Sequence, residues 1–269
     1  TLLDDYDHYD HQRLAADIQQ LKQKGVTFIV ASGNSLDALH SLFAPTLVNN
    51  YVAENGGRII IAGHEILSHP HQPATVQALL NYAVSQLPVT DLISVSGASQ
   101  TFIPAKFAAV PVPYYPHHTY FEHWTSIHEP VYNVNVNWHQ QRLPQSQINQ
   151  IVAKINRDFP MVNATYSGAY GIDILPQGVN KASGLNQFVK HTGGHLDQVV
   201  AIGDTSNDIE MVTNAGLGVA MQNATMDLKT IADQITAADN NHDGMLQELE
   251  QIFTSVSYTH LTLPTILRV

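Results

Sequence analysis

Two apolar runs, far apart in the chain, constrain the fold most. Val26–Ala31 reads VTFIVA and Val199–Ile202 reads VVAI, both unbroken and rich in β-branched residues. That pattern suits a strand covered on both faces of a parallel sheet rather than one with a wet side. Each run ends in a tight polar turn, Ser32-Gly33-Asn34 and Gly203–Asn207, and each turn opens into a helical stretch, Ser35–Phe43 and Asp208–Asn214. Strand, turn and helix in that order is the repeating unit of a doubly wound α/β domain. Asp10 can cap an earlier helix carrying Leu14, Ala15, Ile18 and Leu21, with Gly25 as its stop. Lys181–Lys190 and Thr225–Ala232 add helices and Leu217–Ala220 another strand.

From about Ser68 to Tyr170 the texture differs. Amphipathic helices are expected over Ala74–Leu87 and Pro144–Arg157, and Val131–Trp138 (VYNVNVNW) alternates apolar residues with Asn. Such alternation marks an antiparallel strand with one packed face and one polar face. The chain therefore reads as α/β: a doubly wound parallel-sheet core built from residues 1–67 and 171–253, with an inserted α+β cap at 68–170. Residues 254–269 follow no period, resemble a translated sequencing adaptor, and are expected to be a non-native tail outside the fold.

Charge narrows the function classes. With 23 acidic against 12 basic side chains the formal net charge is -11, and no Lys/Arg cluster occurs. Nucleic-acid and anionic-membrane surfaces both call for a basic face, so neither is an expected partner. The apolar runs are too short to cross a bilayer. The chain has no Cys, hence no disulfide framework, thiolate metal site or Cys nucleophile. With no signal segment evident, the cytoplasm is the expected location, as a monomer or weak homodimer.

Three segments carry chemistry. AIGDTSNDIEMV (201–212) ends a strand in Gly203 and sets Asp204, Asn207 and Asp208 within five residues, at the edge of a parallel sheet where α/β ligands bind. Asp204 and Asp208 are hard oxygen donors of the kind Mg²⁺ takes alongside waters and phosphate oxygens, although Asp and Asn also serve plain loops and caps. In VASGNS (30–35), Ser32 and the N–H groups of Gly33 and Asn34 can hold a phosphoryl oxygen, or simply form a cap turn. GVNKASGL (178–185) places Lys181 at a helix start, where the dipole disfavours a cation, so the side chain serves either a ligand or solvent.

Taken together these segments resemble the haloacid dehalogenase (HAD) superfamily, specifically its Cof-type phosphatases with the larger α/β cap. Ser32 matches the second motif of that family, Lys181 its third, and Gly203–Asp208 (GDTSND) its fourth; VAENGGRII (52–60) is similar to its Asn-Gly turn before the cap. The resemblance implies a Mg²⁺-dependent phosphatase of small phosphorylated metabolites such as sugar phosphates or nucleotides, acting through an aspartyl-phosphate. Asp204 and Asp208 would serve the metal, and Ser32, Gly33, Asn34, Lys181 and Asn207 the phosphate. The first motif of the family, DxDGT, is matched only from its last residue by Thr1-Leu2-Leu3. The nucleophile and acid/base Asp are therefore expected before residue 1 and the chain from Thr1 is expected to be inactive. A phosphosugar mutase and a non-catalytic ligand- or Ca²⁺-binding module are the alternatives.

Other signals weigh less. Asp239, Asn241, Asp243, Gly244 and Glu250 fit the spacing of an EF-hand calcium loop, but Gln234-Ile235-Thr236 ahead of them reads as a strand, not an entering helix. His69, His71, His117 and His118 sit beside prolines and read as solvated loop residues rather than zinc ligands. Tyr114, Tyr115, Phe121, Trp124 and Trp138 read as cap core.

Overall fold

The computed structural model describes residues 1–113, 115–168, 170–254 and 265–268. After helix α1 (His11–Gln23), whose N-cap Asp10 accepts a hydrogen bond from the Arg13 N–H at 2.9 Å, the first apolar run becomes β1 (Phe28–Ala31), buried throughout. Helix α2 (Leu36–Leu42) starts on Ser35, which accepts from the Ala38 N–H. β2 (Tyr51–Ala53) pairs in parallel with β1, and β3 (Arg58–Ile61) and β4 (His64–Ser68) add antiparallel strands at that edge.

The chain then builds a second sheet. Helix α3 (Pro73–Ser85) leads to β5 (Leu92–Gly97), β6 (Thr101–Pro104), β7 (His118–Phe121) and β8 (Val131–Asn137), then helix α4 (Gln145–Asp158), β9 (Val162–Gly168) and β10 (Gly171–Pro176). The strand order is β7-β6-β5-β8-β10-β9, with α3 packed on β8 and α4 on β9. The expected boundary at 170/171 falls between β9 and β10, which pair with each other, so the smaller sheet runs on to Pro176. In β8, Val134 and Val136 turn towards the helices and are fully buried, as is Trp138 just past the strand end. Asn133, Asn135 and Asn137 lie on the other face, which looks not at bulk water but at the larger sheet.

The return path supplies α5 (Lys181–His191), β11 (Val200–Gly203), α6 (Ile209–Asn214), β12 (Leu217–Ala220), α7 (Met226–Ile231), β13 (Gln234–Ile235) and α8 (Gly244–Thr254). Residues 265–268 form β14 (Thr265–Arg268), giving the larger sheet the order β13-β12-β11-β14-β1-β2-β3-β4. The expectation that the tail lies outside the fold is thus corrected for these four residues: their backbone pairs in parallel with β1 on one side and β11 on the other. The remainder of that tail, 255–264 and Val269, lies outside the described residues. Separate apolar clusters fill the two units: Ile29, Val30, Val200 and Ile202 belong to one, Ile93, Val134 and Ile172 to the other. Among the described residues no helix is long and apolar enough to cross a membrane.

Candidate active site

Because β1 and β11 run parallel, their polar turns emerge at one edge of the sheet. Ser32 follows β1 and is 1% exposed; its hydroxyl oxygen accepts from the Asn34 N–H at 3.1 Å, and its carbonyl accepts from the Asn55 N–H at 2.8 Å. Gly33 leaves the room this turn needs, since a Cβ there would lie 3.0 Å from the Asn55 carboxamide and 3.3 Å from Asp173.

The turn after β2 is tighter still. Glu54, Asn55 and Gly56 all take positive φ (54°, 51° and 98°), a region that Asn tolerates and Gly enters freely. A Cβ on Gly56 would stand 2.2 Å from the Asn180 carbonyl, and one on Gly184 would stand 2.6 Å from Gly56 Cα. These two glycines let the turn press against the first residues of α5, and that contact fixes where Lys181 stands. Asn180 caps α5 reciprocally with Ser183.

Lys181 Nζ meets Asp208 Oδ1 at 3.0 Å, both side chains being fully buried. The other oxygen, Asp208 Oδ2, accepts from the Asp204 and Thr205 N–H groups at 3.0 Å each. A side chain on Gly203 would come within 2.6 Å of Asp208 Cβ, so the glycine before the acidic loop makes room for this brace. Asp204 keeps some exposure; its carboxylate lies 3.4 Å from the Thr1 ammonium and accepts a hydrogen bond from the Thr1 hydroxyl. Asn207 Nδ2 donates to Asn55 Oδ1 at 3.2 Å. All three segments singled out in the sequence thus meet around Asn55 and Asp208.

From Asn55 the network passes to the smaller sheet. Asn55 Nδ2 donates to Asp173 Oδ2 at 2.8 Å, and Asp173 Oδ1 accepts from Asn133 Nδ2 at 2.8 Å and Asn135 Nδ2 at 2.9 Å. Glu54 forms a second bridge: Oε1 accepts from Ser96 Oγ at 2.9 Å and from the Leu36 N–H at 3.3 Å, while Oε2 has no partner. Burial pushes the Glu54 carboxyl up to about 8, against the opposing pull of Ser96 and Arg58. Between the two sheets lies a cleft of about 590 Å³ lined by Ser32, Gly33 and Asn34 on one wall and by the β5, β8 and β10 side chains on the other.

Sequence alone missed Asp173 and Glu54. Asp173 sits alone within an apolar strand, and only the Asn-bearing register of β8 opposite it hints that a polar face converges there. Tyr115, read as cap core, lines the cleft, its hydroxyl 2.8 Å from Ser94 Oγ and its phenol pushed up to about 12 by burial. Trp138 and Phe121 are cap core, Trp124 packs partly on it, and Tyr114 lies outside the described residues.

The other sequence signals disperse. Glu250 takes both oxygens to Arg13 (2.6 and 2.8 Å), Asp243 lies 3.3 Å from the same guanidinium, Asp239 pairs with His242 and Asn241 with Asp5, so the calcium-loop side chains do not converge. His71 is not solvated: it is buried, with Nε2 2.9 Å from the Ile174 carbonyl, whereas His69 is exposed. His117 pairs with Asp37 and His118 with the Tyr115 carbonyl.

Among the described residues no group of three His, Cys, Asp or Glu side chains is set to hold a metal ion. A Mg²⁺ ion asks for less, one or two carboxylates with waters and phosphate oxygens completing its shell. Asp204 fits that requirement as a partly exposed carboxylate at the sheet edge, whereas Asp208 is committed to Lys181 and two backbone amides.

An open α/β sheet with polar turns at one edge, and a second sheet closed over them, is the frame of a capped α/β enzyme. Residues 1–249 match the haloacid dehalogenase-like hydrolases, and the chain belongs to that family. It is 29% identical over 260 residues to the 5-amino-6-(5-phospho-D-ribitylamino)uracil phosphatase YbjI of Escherichia coli, covering 94% of this chain and 92% of that protein. A Bacillus subtilis phosphatase of the same description, YitU, is 40% identical over 83 residues, 31% of this chain and 30% of that one. The crystal structure of SMU.1108c from Streptococcus mutans shares the fold at a TM-score of 0.85 and 24% identity, over 95% of this chain and 96% of that one.

Proposed function

We propose that this protein is a Mg²⁺-dependent phosphatase of small phosphorylated metabolites in the cytoplasm. The observation that carries the reading is the convergence of the Ser32 turn, the Lys181–Asp208 pair and Asp204 at one sheet edge, under a cap that leaves a metabolite-sized cleft. The phosphatases it is similar to, YbjI and YitU, support it.

In this scheme Ser32 Oγ and the N–H groups of Gly33 and Asn34 hold phosphoryl oxygens. Lys181, set by Asp208, offers the positive charge that a phosphate needs in a strongly acidic chain. Asp204 would hold Mg²⁺, which supplies Lewis-acid charge neutralisation when bound. Asp208 acts as the positioning group for Lys181 and for the Asp204 backbone. Asn55 and Asn207 tie the phosphate turn to the acidic loop, so that the phosphate site and Lys181 keep a fixed separation.

The test is phosphate release from p-nitrophenyl phosphate and a sugar-phosphate panel with and without Mg²⁺. It is run on the chain from Thr1 and on the same chain extended at Thr1 by an Asp-x-Asp-Gly segment. The family resemblance implies Mg²⁺-dependent release by the extended chain and none by the shorter one. Absence of release by both would refute the phosphatase reading, and release by the shorter one would refute the assignment of the nucleophile upstream.

A further inference from the structure

The cap wall of the cleft is built from aligned polar rows. Ser94 in β5 stands opposite Asn135 in β8, which stands opposite Asp173 in β10; one row further, Thr101 in β6, Ser96 in β5 and Asn133 in β8 are aligned in the same way. All six line the cleft, whereas no Lys or Arg does among the described residues.

The hydrogen-bond directions give this wall a sense. Asn135 Nδ2 spends its two hydrogens on Asp173 Oδ1 and on the Ile172 carbonyl at 3.2 Å. Its remaining capacity is the acceptor oxygen. Asn133 gives one Nδ2 hydrogen to Asp173 at 2.8 Å, and its Oδ1 accepts from the Ile174 N–H at 3.1 Å. At Asn135 the wall therefore presents an acceptor oxygen, and it carries the Asp173 carboxylate at its centre. Deeper in, Glu54 lines the cleft with an unpartnered Oε2 on a fully buried side chain, a position strained by positive φ that a structural role alone leaves unexplained. Burial keeps that carboxyl protonated at neutral pH.

Resting on the phosphatase reading, we propose that this wall is the leaving-group subsite, and that it selects monoesters of uncharged, hydroxyl-rich alcohols while rejecting alcohols that carry a second anionic group. Ligand hydroxyls donate to Asn135 Oδ1 and the Ser94–Tyr115 pair, and Glu54 Oε2 meets the end of the ligand that enters furthest. Asp173 is the specificity-determining residue. A carboxylate or second phosphate on the alcohol would face it with no cation on the wall to compensate.

The test compares binding of glucose 6-phosphate, 6-phosphogluconate and inorganic phosphate by calorimetry with Mg²⁺ present. The first two are nearly the same size, and the second carries a carboxylate at C1 of an open chain where the first closes a pyranose ring. Glucose 6-phosphate is expected to bind at least tenfold tighter than inorganic phosphate, and 6-phosphogluconate no tighter than inorganic phosphate. Asp173→Asn should narrow the gap between glucose 6-phosphate and 6-phosphogluconate. Because that variant also loosens the Asn55 contact and can fail to fold, Asn137→Lys serves as a second probe. It places a cation on the same wall and should shift preference towards 6-phosphogluconate. Equal binding of the two ligands by the native chain, or an unchanged ratio in Asn137→Lys, overturns the proposal. If inorganic phosphate itself does not bind, the phosphate reading falls separately. The wall is then judged by ligand-detected NMR with ribitol against gluconate, where contact with ribitol alone supports it and contact with gluconate overturns it.

Discussion

Asp208→Asn isolates the brace at the centre of the site. The substitution keeps the shape of the side chain but removes the charge that faces the Lys181 ammonium at 3.0 Å, in a pair whose side chains have no solvent exposure. It also asks one carboxamide to satisfy both that ammonium and the two N–H groups of Asp204 and Thr205, although only one end of a carboxamide accepts. Breaking one partner of a buried pair costs about 3–5 kcal/mol. That is a large share of the roughly 5–15 kcal/mol by which a domain is stable. Urea unfolding followed by circular dichroism reads the loss directly as a lower midpoint at unchanged slope. Asp158→Asn removes the partner of an exposed lysine, Lys154, and should leave the midpoint in place. The double variant Lys181→Met with Asp208→Leu should recover part of the stability lost by Asp208→Asn, because no charge is left buried alone, while the Asp204 and Thr205 N–H groups still lose their acceptor. It should also abolish phosphate binding. A loss below about 1 kcal/mol for Asp208→Asn, the size of an exposed pair, would refute the claim that this pair is dry and mutually dependent.

Stability should also follow pH through two buried groups. Glu54 is raised from the usual 4.5 to about 8, so the proton it keeps in the folded state is a contribution lost as pH rises towards 8; His71 is lowered from 6.5 to about 4 by burial, so its contribution is lost as pH falls from 6.5 towards 4. Between pH 6.5 and 8 Glu54 acts and His71 does not, which amounts to about 2 kcal/mol at 1.36 kcal/mol per unit, and Glu54→Gln should flatten that limb in unfolding measurements. Gly56→Ala forces a Cβ to 2.2 Å from the Asn180 carbonyl at a φ of 98°, whereas Gly63→Ala meets nothing within 4 Å at a φ of 81°. The first should cost about 1–3 kcal/mol more than the second in thermal unfolding, and equal losses would show that the turn does not press on α5. Removing Mg²⁺ with EDTA should end any phosphate release by the chain extended at Thr1 and leave its circular dichroism unchanged, since the carboxylate assigned to the ion, Asp204, holds no core element together.

The larger sheet was readable because β1 and β11 are covered on both faces, and such strands leave an unbroken apolar run that little else produces. Their polar turns were readable for the same reason: Ser32 and Asp204 begin where the runs stop. The cap was harder. The alternation in β8 identified a strand with one polar face, but alternation does not say whether that face meets water or another sheet, and here the Asn side meets the cleft. Asp173 escaped notice because a lone acid in an apolar strand gives no period, and its three amide donors come from elements 118, 40 and 38 residues away. Asp208 was legible as a candidate site residue, yet its commitment to Lys181 and two amides depends on loop geometry that spacing does not encode. Nothing in residues 265–268 marked them as a strand between β1 and β11.

Asn55 is followed by Gly56, and glycine is the neighbour that least hinders its own backbone nitrogen from attacking an asparagine carboxamide, the chemistry by which asparagine turns to aspartate. In the folded protein that carboxamide is tethered at both ends, to Asn207 and to Asp173, in a residue 1% exposed. Ring closure requires both of these hydrogen bonds to break. Each conversion is irreversible and sets a new carboxylate against Asp173, where a donor stood. The clasp therefore keeps time: acidic species separated by isoelectric focusing would accumulate with the hours a molecule has spent with those two bonds broken.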